Sequence, residues 1–233
     1  LFPYTTLFRS MDNLHGKLVG ESFNPTQHFC FLSGLHTKPL TMSFTRFHVM
    51  GVQMHPLAVK AIFGLPCSEV RDWAVLGELI FQEVAGIEDK LRCQGDFWAK
   101  ALWLENHLFS KVRETSDLHT AFKMQDTIQV AKRRLRFGER VKMESLTGYS
   151  RMHTTRLFND WFGLPPAQTL RLHQFINAVN LFHTSSERLT DIGLQSGFYD
   201  QAHFIHTFHE FADMTPGEYK KRMLPHLVGQ LLS

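Results

Sequence analysis

The stretch LTDIGLQSGFYDQAHFIHTFHEFADMTPGEY, Leu189–Tyr219, decides the fold of the carboxyl-terminal half of the chain. Its pattern predicts a short helix, a turn at Gly197, and a second helix whose inner face carries Phe204 and Phe208. The Thr-Pro-Gly sequence that starts at Thr215 ends this second helix. Two short helices joined by a glycine turn are typical of a helix-turn-helix, whose second helix enters the DNA major groove.

A second copy of this unit lies upstream. GYSRMHTTRLFNDWFGLPP (Gly148–Pro166) aligns with GFYDQAHFIHTFHEFADMTP (Gly197–Pro216), so that Phe158 corresponds to Phe208 fifty residues later. A repeated supersecondary unit is a strong architectural signal. Between the copies, apolar positions at helical spacing predict one long helix, which begins after Pro165-Pro166 and ends near Thr184-Ser185.

Local chemistry supports both copies. Gly148 and Gly197 stand where the turn needs a positive φ, which other residues adopt at a cost. Ser150 and Asp200 stand where a helix N-cap belongs. Each second helix is therefore predicted to begin with its first N–H groups satisfied.

The turn glycine, the following aromatic residue, Asp-Gln, His-Phe and Thr-Pro-Gly-Glu-Tyr together make this segment closely resemble the AraC/XylS family of bacterial transcription regulators. The resemblance covers roughly residues 121–222. It implies two helix-turn-helix units joined by a long helix, bound to double-stranded DNA with their recognition helices in successive major-groove segments. It also implies RNA polymerase as a partner, no catalytic residues and no cofactor.

The side chains that read DNA are expected on the early, outward positions of each second helix. They are Arg151, Met152, Thr155 and Arg156 in the first unit, and Gln201, Ala202, His203 and His206 in the second. Arg156 is the best single candidate, because arginine can bond guanine O6 and N7 together. Gln201 can pair with adenine N6 and N7. The alternative for each residue is an uninvolved surface position.

Several residues depart from the family pattern. His206 and His209 stand where the family usually has Arg and Lys, and Glu210 adds an acid, so the second unit is predicted to bind weakly at neutral pH. Thr154 replaces a usual core leucine, and Glu144 occupies a position that is normally small and apolar. These two predict a loosely packed first unit or a diverged specificity. They keep open an alternative, a degenerate AraC-like interaction module with weak or lost DNA binding.

The rest of the chain predicts an α+β protein with a small β-rich plus helical N-terminal domain over residues 11–112. Alternation such as that of Met42–Val49 predicts strands within 23–66. Apolar spacing predicts helix over 68–92, broken near Gly86, and again over Phe97–Val112, with core packing as the default and a dimer seam as the alternative. Residues 51–72 loosely resemble the sensory half of AraC-like regulators. The few strands predict that this domain is incomplete.

The remaining boundaries follow from composition. Residues 1–10, which precede Met11, are predicted to be a non-native scar. The polar residues 113–120 are the predicted linker, 121–222 the DNA-binding domain and 223–233 a tail. From this organisation we expect a small-molecule effector at the N-terminal domain, and a homodimer.

Charge and cysteine content narrow the function classes. The net charge of +3 is concentrated in residues 119–222, where 14 Lys and Arg face 10 Asp and Glu. Three scattered cysteines argue against a disulfide framework, a zinc cluster and an alkyl-transferring repair enzyme, and favour a cytoplasmic location. His203, His206 and His209 lack a Cys or carboxylate partner at ligand spacing, so no metal site is expected. No apolar run approaches the ~20 residues of a membrane helix.

Overall fold

The structure, a computed structural model, describes residues 5–10, 16–18, 21–23, 30–38, 49–72, 74–76, 82–114 and 117–222. The strands are β1 (Thr5–Ser10), β2 (Gly16–Leu18), β3 (Glu21–Phe23), β4 (Cys30–Ser33), β5 (Val49–Met54) and β6 (Ala74–Leu76). The N-terminal helices are α1 (Pro56–Phe63), α2 (Gln82–Arg92) and α3 (Phe97–Glu114). The C-terminal helices are α4 (Leu118–Arg136), α5 (Met143–Thr147), α6 (Arg151–Phe162), α7 (Pro166–Thr184), α8 (Leu189–Gln195), α9 (Gln201–Ala212) and α10 (Pro216–Arg222).

One small antiparallel sheet has the strand order β5-β1-β4-β6, and β2 pairs with β3 in a separate ribbon. Strand β1 lies inside the sheet, where Leu7 is paired with Leu32 on one side and Val52 on the other. Residues 5–10, left out of the fold expectation, thus supply an inner strand. Helices dominate the described residues, so the fold is mostly helical, and the β-rich N-terminal domain stays a prediction.

The segment after β5 corrects the sequence interpretation. Residues 56–63 were expected among the strands, but they form α1, with Pro56 at its first position. The Nδ1 atom of His55 accepts a hydrogen bond of 3.1 Å from the N–H of Leu57 and caps the helix. Proline suits this place because its missing N–H would have no helical partner. A helix therefore begins within the stretch 23–66, in which strands were predicted.

The predicted helix over 68–92 was wrong in its first part. Residues 74–76 form β6, which pairs with β4, and helix α2 spans Gln82–Arg92. Gly86, expected to break the helix, lies within it. Pairing with a distant strand overrode the local apolar spacing. The alternating residues 42–48 lie outside the described residues, and Val49 begins β5.

The C-terminal half follows the prediction closely. Helix α7 runs from Pro166 to Thr184, as expected for the bridging helix. The first helix pair, α5 and α6, precedes α7 in the chain, and the second helix pair, α8 and α9, follows it. Helices α6, α8 and α9 all pack against α7.

Aromatic side chains form the core between α7 and the second helix pair. Phe204 and Phe208 of α9 meet Phe182 of α7, with Phe208 and Phe182 ring centroids 5.6 Å apart in edge-to-face geometry. Burial of each such ring contributes about 1.5–3 kcal/mol. Tyr219 of α10 is also buried in this core. Its hydroxyl lies at a hydrogen-bond distance of 3.0 Å from Nε2 of His183.

The Thr-Pro-Gly-Glu-Tyr motif now has a structural explanation. The carboxylate of Glu218 accepts from the N–H of Thr215 at 2.7 Å, while the Thr215 hydroxyl accepts from the N–H of Glu218 at 3.2 Å. This reciprocal capping box starts α10, with Pro216 at its first position. The hydrogen bond from the Thr215 backbone lowers the pKa of Glu218.

The core of the first helix pair includes residues from the N-terminal part of the chain. Leu57 and Ala61 of α1 pack in the same buried cluster as Ile128 of α4 and Phe158 of α6. Polar contacts join the same surfaces: the N–H of Cys67 donates to the carbonyl of Asp160 at 2.8 Å. Between these halves, α3 ends at Glu114 and α4 begins at Leu118, so helix reaches into the predicted linker at both ends.

Candidate nucleic-acid interface

The turn of the first helix pair is built as the sequence predicted. Gly148 has a φ of 74°, and its N–H donates to the carbonyl of Glu144. Ser150 is the N-cap of α6, and its hydroxyl accepts from the N–H of His153 at 3.3 Å. Helix α6 therefore starts at Arg151 with its outer face turned away from the buried Phe158.

A buried hydrogen bond fastens α5 to α6. The hydroxyls of Thr147 and Thr154 lie 2.8 Å apart, and Thr154 is only 1% exposed. A buried hydroxyl is costly unless it is paired, and here one hydroxyl donates a hydrogen bond to the other. The loose packing predicted from Thr154 was therefore wrong at this position.

The predicted readers of the first unit lie on the outside of α6. Arg151, Met152 and Arg156 are exposed, and Met152 is exposed to 67%. Thr155 is half-buried, and its hydroxyl donates to the carbonyl of Arg151 at 2.9 Å. This bond uses the hydroxyl proton, so the methyl group and the hydroxyl lone pairs are left for contact with a base.

The turn of the second helix pair repeats this design. Gly197 has a φ of 83°, and its carbonyl accepts from the side-chain amide of Gln174 on α7. Asp200 is the N-cap of α9, and its carboxylate accepts from the N–H of His203 at 2.7 Å. Both α6 and α9 contain 12 residues, so the second helices of the two pairs match in length, and each begins with a short acceptor side chain as its N-cap.

The predicted readers of the second unit differ in exposure. Gln201, Ala202 and His206 are exposed on α9. His203 is half-buried, and its ring meets the ring of Phe198 edge-on at 5.3 Å. Packing thus restrains His203 more than the other three.

Glu210 does not lie on the outer face as an uncompensated acid. Its carboxylate is 3.3 Å from the guanidinium of Arg171 on α7, and it also accepts from the amide of Gln168. The acid that seemed to weaken the second unit therefore joins α9 to α7.

A basic groove of about 990 Å³ lies between the two helix pairs. Its lining includes the cations Arg136, Arg140, Lys142, Arg151 and Arg171, together with Glu139 and Glu144. Three of the predicted readers, Arg151, Thr155 and His203, also line it. Sequence reasoning missed Arg140 and Lys142, although the cation-rich run between α4 and α5 was a visible signal. The surplus of positive charge suits a polyanion.

The three histidines of α9 do not form a metal centre. Within the described part of the chain, no three His, Cys, Asp or Glu side chains converge as metal ligands would. Among the described residues, no helix is both long and apolar enough to cross a membrane.

Two family models match separate parts of the chain. Residues 145–222 match a family described as a helix-turn-helix domain, from within α5 to the end of α10. Residues 8–75 match a domain of unknown function, DUF6597.

Curated relatives match about two fifths of the chain. The chain is 30% identical over 95 residues to an uncharacterized HTH-type transcriptional regulator of Staphylococcus aureus (strain COL), covering 37% of this chain and 12% of that protein. It is 25% identical over 99 residues to the probable transcription factor PqrA of Proteus vulgaris, and this match covers 41% of this chain and 81% of that protein. The chain thus spans a small part of the Staphylococcus protein and most of the Proteus one.

Solved structures of ToxT from Vibrio cholerae share the fold. One gives a TM-score of 0.54 at 13% identity and covers 94% of this chain and 90% of that chain. Another, bound to an unsaturated fatty acid, gives a TM-score of 0.51 at 15% identity and covers 97% of this chain and 89% of that chain. At these identities the likeness concerns the fold alone.

Proposed function

Because the chain belongs to the AraC family of transcription regulators, we propose that it binds double-stranded DNA sequence-specifically through two helix-turn-helix units. The observation that carries this proposal is the matched pair of outward helices, α6 and α9, each capped by a short acceptor side chain after a glycine turn. The relatives named above are regulators and not enzymes, so the repair-enzyme alternative falls away.

In this proposal α6 and α9 act as the recognition helices. Their amino-terminal turns would enter successive major-groove segments about one helical turn, ~34 Å, apart. Arg156 and Gln201 would read base edges, because both are exposed and both offer bidentate hydrogen bonding. Arg140 and Lys142, which line the groove between the pairs, would contact phosphates.

A degenerate interaction module remains the second candidate. It is favoured by the lack of fixed positive charge on α9, where His206 and His209 are the exposed basic side chains. Neutral histidine cannot neutralise a phosphate, so this unit would contribute little counterion release.

Titration of the full-length chain against nonspecific duplex at low and rising salt separates the two candidates. The regulator should bind at low salt, with a log–log slope of about −0.9 for each phosphate contacted. Folded protein without measurable duplex affinity at low salt would leave only the interaction module.

Three further partners stay predictions. For a homodimer, the relevant feature is the outer face of α3, where Trp98, Leu102 and Phe109 are 75%, 59% and 58% exposed. Core packing, the default for this helix, holds only for its inner side, where Leu104 is buried. A small-molecule effector is suggested by the fatty acid in a ToxT structure of the same fold. The prediction that RNA polymerase is a partner rests on the family resemblance alone.

A further inference from the structure

Tyr199 is a side chain of the second helix pair that the proposed function does not use. It immediately precedes Asp200, the N-cap of α9. Its side chain is 85% exposed, the largest exposed fraction among the large apolar and aromatic side chains in the described part of the chain. Its neighbour Phe198 is buried in the aromatic core. Packing of this turn therefore relies on Phe198, and the ring of Tyr199 is left for a contact outside the folded chain.

Tyr149 stands at the same place in the first unit, immediately before the N-cap Ser150. It is held against the protein, since Nζ of Lys123 lies 4.2 Å from the centroid of its ring and donates to its hydroxyl at 3.0 Å. Its ring also meets that of His153 edge-on at 4.5 Å. Tyr149 is accordingly 41% exposed, less than half as much as Tyr199. The tyrosine of the second unit therefore projects into solvent, whereas that of the first is packed.

The surroundings of Tyr199 indicate what its ring and hydroxyl would contact. Tyr199 lines the basic groove between the helix pairs, and so does Leu194, which is 63% exposed. The two flank one turn, in which the N–H of Gly197 donates to the carbonyl of Leu194 at 2.9 Å. The same groove is lined by Arg140 and Lys142. Cations and exposed apolar side chains together suit a sugar–phosphate backbone, in which anionic phosphates alternate with the apolar faces of deoxyribose.

The charges of the second unit favour a neutral contact. Helix α9 (Gln201–Ala212) contains no lysine or arginine, and the carboxylate of its N-cap Asp200 is exposed. An exposed carboxylate repels a phosphate, so this unit cannot rely on ionic contacts from its own second helix. The hydroxyl of Tyr199 can donate a hydrogen bond to a phosphate oxygen without carrying a charge.

We propose that Tyr199 contacts the DNA backbone in the second unit. Its hydroxyl donates to a phosphate oxygen, and its ring packs on the adjoining deoxyribose, where Leu194 extends the apolar contact. This role rests on the proposed function and adds a neutral contact to the unit that was predicted to bind weakly at neutral pH. A neutral donor releases no condensed counterions, so the contact should stabilise the complex equally at low and high salt. Because the backbone is the same in every sequence, it should also stabilise all duplexes alike.

Salt titrations of the full-length chain against two fluorescent duplexes separate this contact from an ionic one. One duplex carries a site selected by the parent chain, and the other has the same bases in scrambled order. Tyr199→Ala should weaken binding to both duplexes about tenfold at every salt concentration, and Tyr199→Phe about threefold, because phenylalanine keeps the ring and loses the hydroxyl. Lys142→Gln should instead make the log–log salt slope shallower by about 0.9.

The control is Phe122→Ala, which removes an exposed aromatic side chain of α4 on a different surface and should leave both affinities unchanged. Tyr199 is exposed, so its two variants should keep the unfolding temperature of the parent. Full affinity in Tyr199→Ala, a shallower salt slope in that variant, or a loss confined to the selected site would overturn the proposed role of Tyr199 alone. If the parent itself bound neither duplex, the proposed function would fail, and the role of Tyr199 with it.

Discussion

Arg156 lies exposed on the outer face of α6, where a guanidinium can reach the edge of a base. Truncation of this side chain, Arg156→Ala, should cost about 1–3 kcal/mol for the cognate site and relax preference at one base position. If it contacts only phosphate, all sequences should weaken alike and the salt slope should fall by about one. Arg92→Ala, an exposed arginine of α2, is the control. Unchanged affinity and slope would remove Arg156 from the interface.

His206 is exposed on α9, at the position that corresponds to Arg156 in α6. Only a protonated imidazole can neutralise a phosphate, and nearby phosphates favour the protonated form. DNA affinity should therefore rise as the pH falls from about 8 to 6, with proton uptake. His206→Arg should strengthen binding at pH 8, steepen the salt slope there by about 0.9, and flatten the pH dependence.

The control for His206 is His119→Arg, which adds the same charge at an exposed position of α4. It should change neither the pH profile nor the slope. If the His206 variant and the parent had the same pH profile, His206 would not face the duplex.

Residue roles that depend on local sequence were predictable, and those that depend on tertiary partners were not. The caps Ser150 and Asp200 follow from their position beside a turn glycine and were confirmed. The bond between Thr147 and Thr154 joins two helices, so no local pattern indicates it. The pairing of Glu210 with α7 was hidden for the same reason.

At the scale of elements, α6 and α9 end differently although they begin alike. Gly163 follows α6 with a φ of 75°, and Asp213, fifty residues later, follows α9 with a φ of 53°. Both residues have the left-handed backbone conformation, which glycine adopts without strain. A side chain at Gly163 would also meet the backbone, since an added Cβ would lie 2.9 Å from the carbonyl oxygen of Cys67.

Gly163→Ala should therefore lower the free energy of unfolding by more than the ~1–2 kcal/mol of left-handed strain alone. Gly138→Ala is the matched control, because Gly138 has a φ of 72° and its added Cβ would meet nothing within 4 Å. Urea unfolding of both variants measures the difference. Equal losses would show that the segment around Cys67 does not press against the end of α6.

Element prediction succeeded where helices are long and strongly periodic, as in α7, and failed where a distant partner decides. Residues 74–76 have the spacing of a helix, but β4 supplies the hydrogen bonds that make them a strand. The sequence did not predict helix α1, because a proline such as Pro56 can mark either a turn or the start of a helix.

For the whole molecule, the N-terminal part completes the core of the first helix pair. Leu57 and Ala61 cover apolar residues of α4 and α6, and Lys60 forms a 3.1 Å ion pair with Asp160. The predicted boundary near residues 113–120 therefore separates sequence segments that share one buried cluster. Tests of function are best made on the full-length chain.

Acid should loosen this shared core. Burial, and next the positive charge of Lys132, lower the pKa of His55 to about 4. Between that value and the ordinary ~6.5 the folded state binds fewer protons than the unfolded state, so stability falls as the pH drops through this window. His55 contributes at most about 1.4 kcal/mol per pH unit to this loss.

His55→Asn isolates the contribution of His55, because asparagine keeps an acceptor at the helix N-cap and does not titrate. Its unfolding free energy should match the parent near pH 7.5 and fall less steeply below pH 6.5. His119→Asn, at an exposed site, should keep the parent slope. The same acid slope in His55→Asn as in the parent would mean that His55 titrates normally in the folded state.

The most direct test of the central claim is selection of bound sites by the full-length chain from a random duplex library. Two helix-turn-helix units bound side by side predict a motif of two boxes, centred about 10–10.5 base pairs apart. Arg156→Ala should blur one box and Gln201→Ala the other. A single box, or no enrichment by protein that is folded, would contradict the account.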